Sequence, residues 1–495
     1  MLHKELPFVL KKYLNTLLVT APFAVAWFLY YEPITLTTES KQVTILVLVT
    51  HFIVFYWLCH LMDGFRPSTA QLDEMVFNQI ISAAITNVAS VIEIWMLSIH
   101  FPRLYPVLLA FLAQCLIIPI LCKYNFYSYY YIHKPKKTLI IKDVRRGAED
   151  LLDEDELYGR FKVQATMDIK DVLKDLSILD GMEVIFMIGV HSHDRNIILK
   201  ECTYRGIQLY IIPRVGDLVM SATEEMHLMH LPILRSRRYN PTVEYRAIKR
   251  LIDLIFSAVS LIVLSPLMLV ISIAVKSDGG PVFYRQTRLT QNGKKFQIYK
   301  FRSMCVDAEK KSGAVLSTGD KDTRVTKVGR IIRAFRMDEL PQLVNILRGE
   351  MTIVGPRPER PEIAAEYEKM LPEFALRLQA KAGLTGYSQV YGKYNSSPYV
   401  KLLMDLIYIA HPSLVQDMKI VLKTIKTLFD KESTEGVQQE GMNMDEIGKQ
   451  MEEYPPEQED ERDEEAELQE EKRAEPLMQP EEPRPAQEEG NRENE

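Results

Sequence analysis

Four apolar stretches crowd the first quarter of the chain: Tyr13 to Tyr31, Gln42 to Met62, Val76 to Leu97 and Leu104 to Cys122. Each has about the 20 residues that carry a helix across a hydrocarbon core of about 30 Å, which predicts four transmembrane helices. Four crossings leave both ends on one side. The segments on that side hold Lys4, Lys11, Lys12, Arg66, Lys123, Lys134, Lys136 and Lys137, against Lys41 and Arg103 in the two opposite loops, so both ends are expected in the cytoplasm. No small-residue cleavage site follows the first stretch, which is therefore read as a retained helix. Glu93 lies beside Trp95 and His100, interfacial residue types, and is read as sitting near the headgroups and not on a transport path.

A fifth apolar stretch, Leu251 to Val275, is interrupted in its middle by Ser265 and Pro266. Proline removes an i to i−4 hydrogen bond and kinks a helix. Lys249 and Arg250 precede this stretch and Lys276 follows it, so both ends are expected at the same leaflet. The pattern predicts a broken, re-entrant helix that dips into the cytoplasmic leaflet and returns.

Between the membrane elements the period changes. Thr138 to Lys142, Phe161 to Ala165, Glu183 to Ile188 and Gln208 to Ile212 read as short strands separated by amphipathic helices, the alternation of a parallel, Rossmann-like α/β sheet. The turn after its first strand, KDVRRGAEDLL, offers only Gly147, so no bound dinucleotide is expected. His191 and His193 follow the third strand with no third ligand near them and are read as loop residues without a metal.

Charge divides the chain. The net −6 combines a balance of −18 from Glu432 onward with +12 over residues 1 to 431. A basic body suits anionic ligands such as nucleotides and lipid phosphates, while the absence of interleaved aromatic and basic positions disfavours nucleic acid. The acidic end, rich in Glu, Gln and Pro, cannot bury enough apolar surface to order itself. Five cysteines without paired or metal-ligand spacing fit reduced thiols.

Residues 336 to 360, RMDELPQLVNILRGEMTIVGPRPER, carry the chemistry. An acidic pair, Asp338 and Glu339, lies between Arg333, Arg336 and Arg357. A carboxylate attacks phosphorus only when the phosphate charge is screened, so this arrangement suits phosphoryl transfer. Pro341 is compatible with a helix beginning at or near Asp338, which would aim its positive end at the phosphate.

From about Tyr245 to Phe429 the chain resembles the bacterial sugar transferases that load a phosphosugar onto a polyprenyl phosphate, the monotopic phosphoglycosyl transferases. The blocks KRLIDLIFSAVSLIVLSPL, GPVFYRQTRLTQNGKKFQIYKFRSM, TRVTKVGRIIRAFRMDELPQLVNILRGEMTIVGPRPERP and KAGLTGYSQVYGK occur in that family's order. The resemblance implies that Asp338 is the nucleophile attacking a UDP-sugar, and that UMP leaves a phosphosugar on the aspartyl group for polyprenyl phosphate to collect. It leaves Glu339 three roles: orienting Asp338, helping to hold Mg²⁺, or assisting the acceptor phosphate. Mg²⁺ is the implied cofactor, with Asp338 and Glu339 as its candidate ligands, and Lys300, Arg333 and Arg357 match cations around the phosphates. Gly383, Gly386 and Tyr387 match a loop near the nucleotide. Ser388, Tyr391 and Lys393 depart from the family's residues there, which leaves the sugar open.

The expected whole is a membrane protein, α plus α/β. It comprises a four-helix transmembrane domain (1–135), a Rossmann-like cytoplasmic module (136–240), a mostly helical catalytic domain (245–430) with its re-entrant helix at about 249–275, and an acidic disordered tail (431–495). The resemblance to the longer family members further implies a bacterial cytoplasmic membrane location, a cytoplasm-facing catalytic domain and a homodimer. The competing readings are a membrane-anchored nucleotide or redox sensor and a scaffold of a polysaccharide assembly machine.

Overall fold

Three of the four N-terminal helices outrun the apolar stretches that predict them. In a computed structural model of the chain, which describes residues 2–34, 41–68, 70–98, 100–143, 160–236, 238–239, 241–277, 279–305, 324–392 and 397–429, α1 runs Leu2–Ala26 and closes in a π turn at Trp27–Tyr31. It is followed by α2 (Lys41–Leu61), α3 (Leu72–Leu97) and α4 (Tyr105–Ile132). The Gly147 turn, Lys393 and the acidic end lie outside the described residues. α4 continues ten residues past Cys122 through the aromatic run NFYSYYYI. Side-chain amides tie the helices together: Asn87 donates to Gln114 at 2.6 Å, and Gln114 donates to the Val19 carbonyl at 3.1 Å. These are the kind of interhelical bonds that give apolar helices a fixed register.

Next comes the sheet. β1 (Lys136–Lys142), β2 (Phe161–Asp168), β3 (Val184–Ile188) and β4 (Gln208–Ile211) are all parallel in the order β2-β1-β3-β4, with α5 (Ile169–Lys174) and α6 (Ser192–Arg205) in the connections and α7 (Val215–Ser221) after β4. Leu139, Ile141, Ile185 and Met187 alternate onto one buried face against Ile169 and Ile198. His191 serves as the N-cap position of α6. An antiparallel hairpin, β5 (Glu224–Leu228) and β6 (Leu231–Arg235), follows; its tip residues Met229 and His230 both have left-handed backbones.

α8, Val243–Ser277, is helical without interruption where a break at Ser265 and Pro266 was expected. The physical reason is local. Proline has no N–H to give the carbonyl of Ile262, four residues back, and the Ser265 hydroxyl donates to that carbonyl instead, at 2.7 Å. Thirty-five residues at about 1.5 Å each make a helix of about 52 Å, longer than an apolar core of about 30 Å. α1 to α4 and α8 are all long and apolar enough to cross a membrane, but 11% of the apolar window of α8 is buried within the protein, against 33–39% for the others. α8 therefore presents most of its apolar surface outward.

Both ends of α8 pack on the same downstream region. There β7 (Phe283–Leu289) and β8 (Lys295–Phe301) pair antiparallel, followed by α9 (Lys327–Ala334), α10 (Gln342–Arg348) and β9 (Thr352–Val354). After α11 (Pro361–Met370) comes β10 (Gly383–Thr385), parallel to β9, and then α12 (Tyr387–Tyr391), α13 (Pro398–Ala410) and α14 (Leu414–Phe429). Near the start of α8, Arg250 donates to the carbonyls of Ile346 and Leu347 at 2.7 and 2.8 Å, closing the end of α10. One turn on, the buried Asp253 accepts from Thr352 Oγ1 and the Ile353 N–H at 2.8 and 3.0 Å. At the other end Arg302 donates to the Val275 carbonyl, and Ile271 and Val275 are buried with Phe301 and Ile332. The five cysteines are free.

Candidate active site

The acidic pair is presented by a strained turn. Arg336 takes a left-handed backbone (φ 52°), which a non-glycine residue adopts at some energetic cost, and starts the 3-10 turn Met337–Glu339. The α-helix expected at Asp338 begins four residues later, at Gln342, because the left-handed step and Pro341 delay regular helix pairing. The carboxylates thus stand on a tight turn ahead of α10.

β8 supplies the first cation. Asn345 of α10 imitates a neighbouring strand, accepting from the Tyr299 N–H at 3.0 Å and donating to the Gln297 carbonyl at 2.8 Å, which locks β8 against α10. Lys300, the next residue along, meets Glu339 Oε1 at 2.8 Å. Arg357 approaches the same oxygen from the opposite loop, at 4.0 Å. Burial alone would raise the Glu339 carboxyl, but Lys300, Arg357 and Arg336 together outweigh it and hold the group well below the usual carboxylate range. Asp338 goes the other way. Burial raises it, Glu339 raises it further, and Lys300 and Arg333 only partly compensate. Of two adjacent carboxylates, one is an anchored anion and the other a buried group waiting for positive charge.

That difference bears on a metal. Among the described residues no cluster of three or more His, Cys, Asp or Glu side chains forms a cage. Mg²⁺ needs few protein carboxylates, and the adjacent Asp338 and Glu339 fit it in number and ligand type.

Gly383 and Gly386 meet the site through a third glycine. A Cβ on Gly383 would stand 2.2 Å from the Gly355 nitrogen, and one on Gly386 would stand 2.2 Å from the Gly355 carbonyl oxygen. The glycines let the backbone of β10 lie directly on the loop that carries Arg357. Tyr387 is stacked on Tyr391 with ring centroids 4.4 Å apart. Gly383→Ala is expected to lower stability by about 1–3 kcal/mol, since the clash is with backbone that cannot rotate aside. A fall in apparent Tm in detergent checks it.

Two residues that sequence reading passed over support both loops from below. Arg377 and Asp405 are almost completely buried and joined at 2.6 Å. Arg377 also donates to the Arg357 carbonyl at 3.0 Å, and Asp405 accepts from Ser388 at 2.8 Å. One ion pair therefore carries both the arginine loop and the start of α12. Lone charges at positions 377 and 405 gave no signal because their partners are remote in sequence.

Comparison with known proteins fits this arrangement. Residues 244–431 match the family model described as Bacterial sugar transferase. A UDP-glucose:undecaprenyl-phosphate glucose-1-phosphate transferase of Caulobacter vibrioides is 41% identical over 195 residues, 38% of this chain and 72% of the relative. A UDP-N-acetylgalactosamine-undecaprenyl-phosphate N-acetylgalactosaminephosphotransferase of Aeromonas hydrophila is 34% identical over 235 residues, 47% of this chain and 54% of the relative. An undecaprenyl-phosphate galactose phosphotransferase of Salmonella typhimurium is 29% identical over 340 residues, 60% of this chain and 69% of the relative. The chain spans about half the length of the Aeromonas protein and of several others it matches. With the acidic pair, its cations and the glycine-packed loops all inside the matched segment, the chain belongs to the bacterial sugar transferase family.

Proposed function

We propose that this protein transfers a sugar 1-phosphate from a UDP-sugar to a polyprenyl phosphate such as undecaprenyl phosphate. The observation that carries the reading is the opposed state of the two carboxylates: Glu339 is fixed by Lys300, while the buried Asp338 is left to gain from a neighbouring positive charge. In the first half-reaction Asp338 attacks the sugar-bearing phosphorus, the P–O bond to the uridine monophosphate breaks, and UMP leaves with that electron pair. The aspartyl phosphosugar is then attacked by the lipid phosphate, which restores the free carboxylate. Lys300, Arg333 and Arg357 screen the phosphate charge. Asp338 and Glu339 would hold Mg²⁺, which would supply further neutralisation of the phosphate charge.

We place the reaction at the cytoplasmic face of a bacterial inner membrane, as the first membrane step of exopolysaccharide, capsule or O-antigen synthesis, in a protein anchored by α1 to α4 and acting as a homodimer. α8 is read as re-entrant because Arg250 and Asp253 at one end and Val275 at the other all bond to the region that holds the acidic pair. The lipid phosphate then meets Asp338 at the interface while its prenyl chain stays in the bilayer.

The deciding experiment incubates the purified full chain with undecaprenyl phosphate and, separately, UDP-glucose, UDP-galactose and UDP-N-acetylgalactosamine, while UMP is measured. UMP release from at least one donor is expected; none from any donor sinks the reading. Chelation of divalent cations is expected to remove turnover, and added Mg²⁺ to restore it. The re-entrant reading puts a bend, without loss of helix, at Pro266; Pro266→Ala gives the Ile262 carbonyl a backbone donor again and is expected to straighten α8 and weaken turnover. Cysteine accessibility along α8 that matches the parent protein would count against this.

A further inference from the structure

The connection between α2 and the first turn of α3 is met by α4, by the residue before β2 and by α14. Tyr130 of α4 donates to the Pro67 carbonyl at 3.0 Å, and Arg160, beside β2, donates to the Ala70 carbonyl at 2.9 Å. From the far side comes α14. Its Lys419 lies 3.8 Å from Asp63, and its Lys426 lies 3.5 Å from Asp73 and 3.3 Å from Glu74. Lys419, Lys423 and Lys426 follow an i, i+4, i+7 spacing and share one helix face. Burial lowers the Lys423 ammonium below the usual lysine range, with Glu74 and Asp63 pulling it back.

The same helix grips the glycine-rich segment. Thr424 and Thr385 hydroxyls are 2.7 Å apart, joining α14 to β10 one residue before Gly386. Lys423 lies 4.4 Å from the centroid of the Tyr391 ring, at the end of α12. A chain of contacts therefore runs from Asp63 and the first-turn carboxylates of α3, through three lysines, to the segment that packs on the Arg357 loop.

We propose that Asp63, Asp73 and Glu74 are positioning residues for the sugar-nucleotide site: they hold α14, and α14 holds residues 385–391 in the geometry that receives the donor. The kinetic part of this inference rests on the proposed transferase reaction. Each pair is partly exposed and weak alone, so the effect belongs to the network. It is also expected to be screened by salt.

The test uses the full chain carrying Asp73→Lys and Glu74→Lys, with and without Lys426→Glu, which restores opposite charges across the contact. Asp63 is left in place because its left-handed backbone tolerates few replacements. The double variant is expected to raise KM for the productive UDP-sugar about two- to five-fold, with kcat changed less than about two-fold, and to speed amide exchange in residues 383–391. Adding Lys426→Glu is expected to reverse both changes. Unchanged KM and exchange would overturn the proposal, as would a uniform loss of protection that Lys426→Glu fails to mend. If the parent protein releases no UMP, the transferase reading fails, and the exchange measurement still decides whether the contact orders this segment.

Discussion

Asp338→Asn is expected to end UMP release, lowering turnover by at least about 10³-fold. Asparagine keeps the shape of the side chain, but its amide has no anionic oxygen with which to attack phosphorus. Burial in the 3-10 turn gives this result a second, independent arm. A carboxyl whose pKa is raised on folding contributes stability below its unfolded value, and that contribution is lost as pH rises through the folded value. Asp338 is such a group, so at neutral pH its charge weakens the fold. The Asn variant should therefore unfold no more readily than the parent protein at pH 7, with any advantage shrinking toward acid. An inactive variant with normal or raised apparent Tm assigns the loss to chemistry. Intact mass after exposure to donor without lipid should show a phosphosugar adduct on the parent protein and none on the variant; brisk UMP release by Asp338→Asn would exclude the covalent route.

Arg377→Met is expected to destabilise the region around the site by about 3–5 kcal/mol, because it strands Asp405 as an unpaired buried charge. Replacing both partners together, Arg377→Met with Asp405→Leu, removes the stranded charge and should recover much of that stability. Turnover should not return with it. The Arg357 carbonyl would still lack its 3.0 Å donor, and Ser388 would lack its acceptor. Apparent Tm and UMP release measured on the same three variants separate the two effects; recovery of both together would show that the ion pair supports the fold alone.

What the sequence disclosed follows from the range of each interaction. Val184 to Ile188 and Gln208 to Ile211 were readable because apolar content and strand length are local properties, and they fall within one residue of the predicted strands. The acidic pair was readable because Asp338 and Glu339 are neighbours whose cationic company recurs nearby. The hairpin at Glu224–Arg235 was not, since Met229 and His230 occupy left-handed positions where glycine or asparagine would have marked a turn. Asn345 and Arg377 were equally opaque: an amide that imitates a strand and a guanidinium that supports a loop 20 residues away depend on partners only folding brings near. The continuity of α8 was missed because Pro266 was weighed without the hydroxyl beside it.

The shared footing of the two loops on Arg377 and Asp405 constrains any attempt to re-engineer donor preference. A chimaera that grafts residues 383–392 from a relative would inherit a new partner for Asp405 in place of Ser388, and the disturbance would pass through the guanidinium to the backbone of Arg357. If these loops serve donor and phosphate as proposed, sugar selection and phosphate screening are mechanically yoked, and productive grafts will be those that transplant the carboxylate and its guanidinium along with the loop.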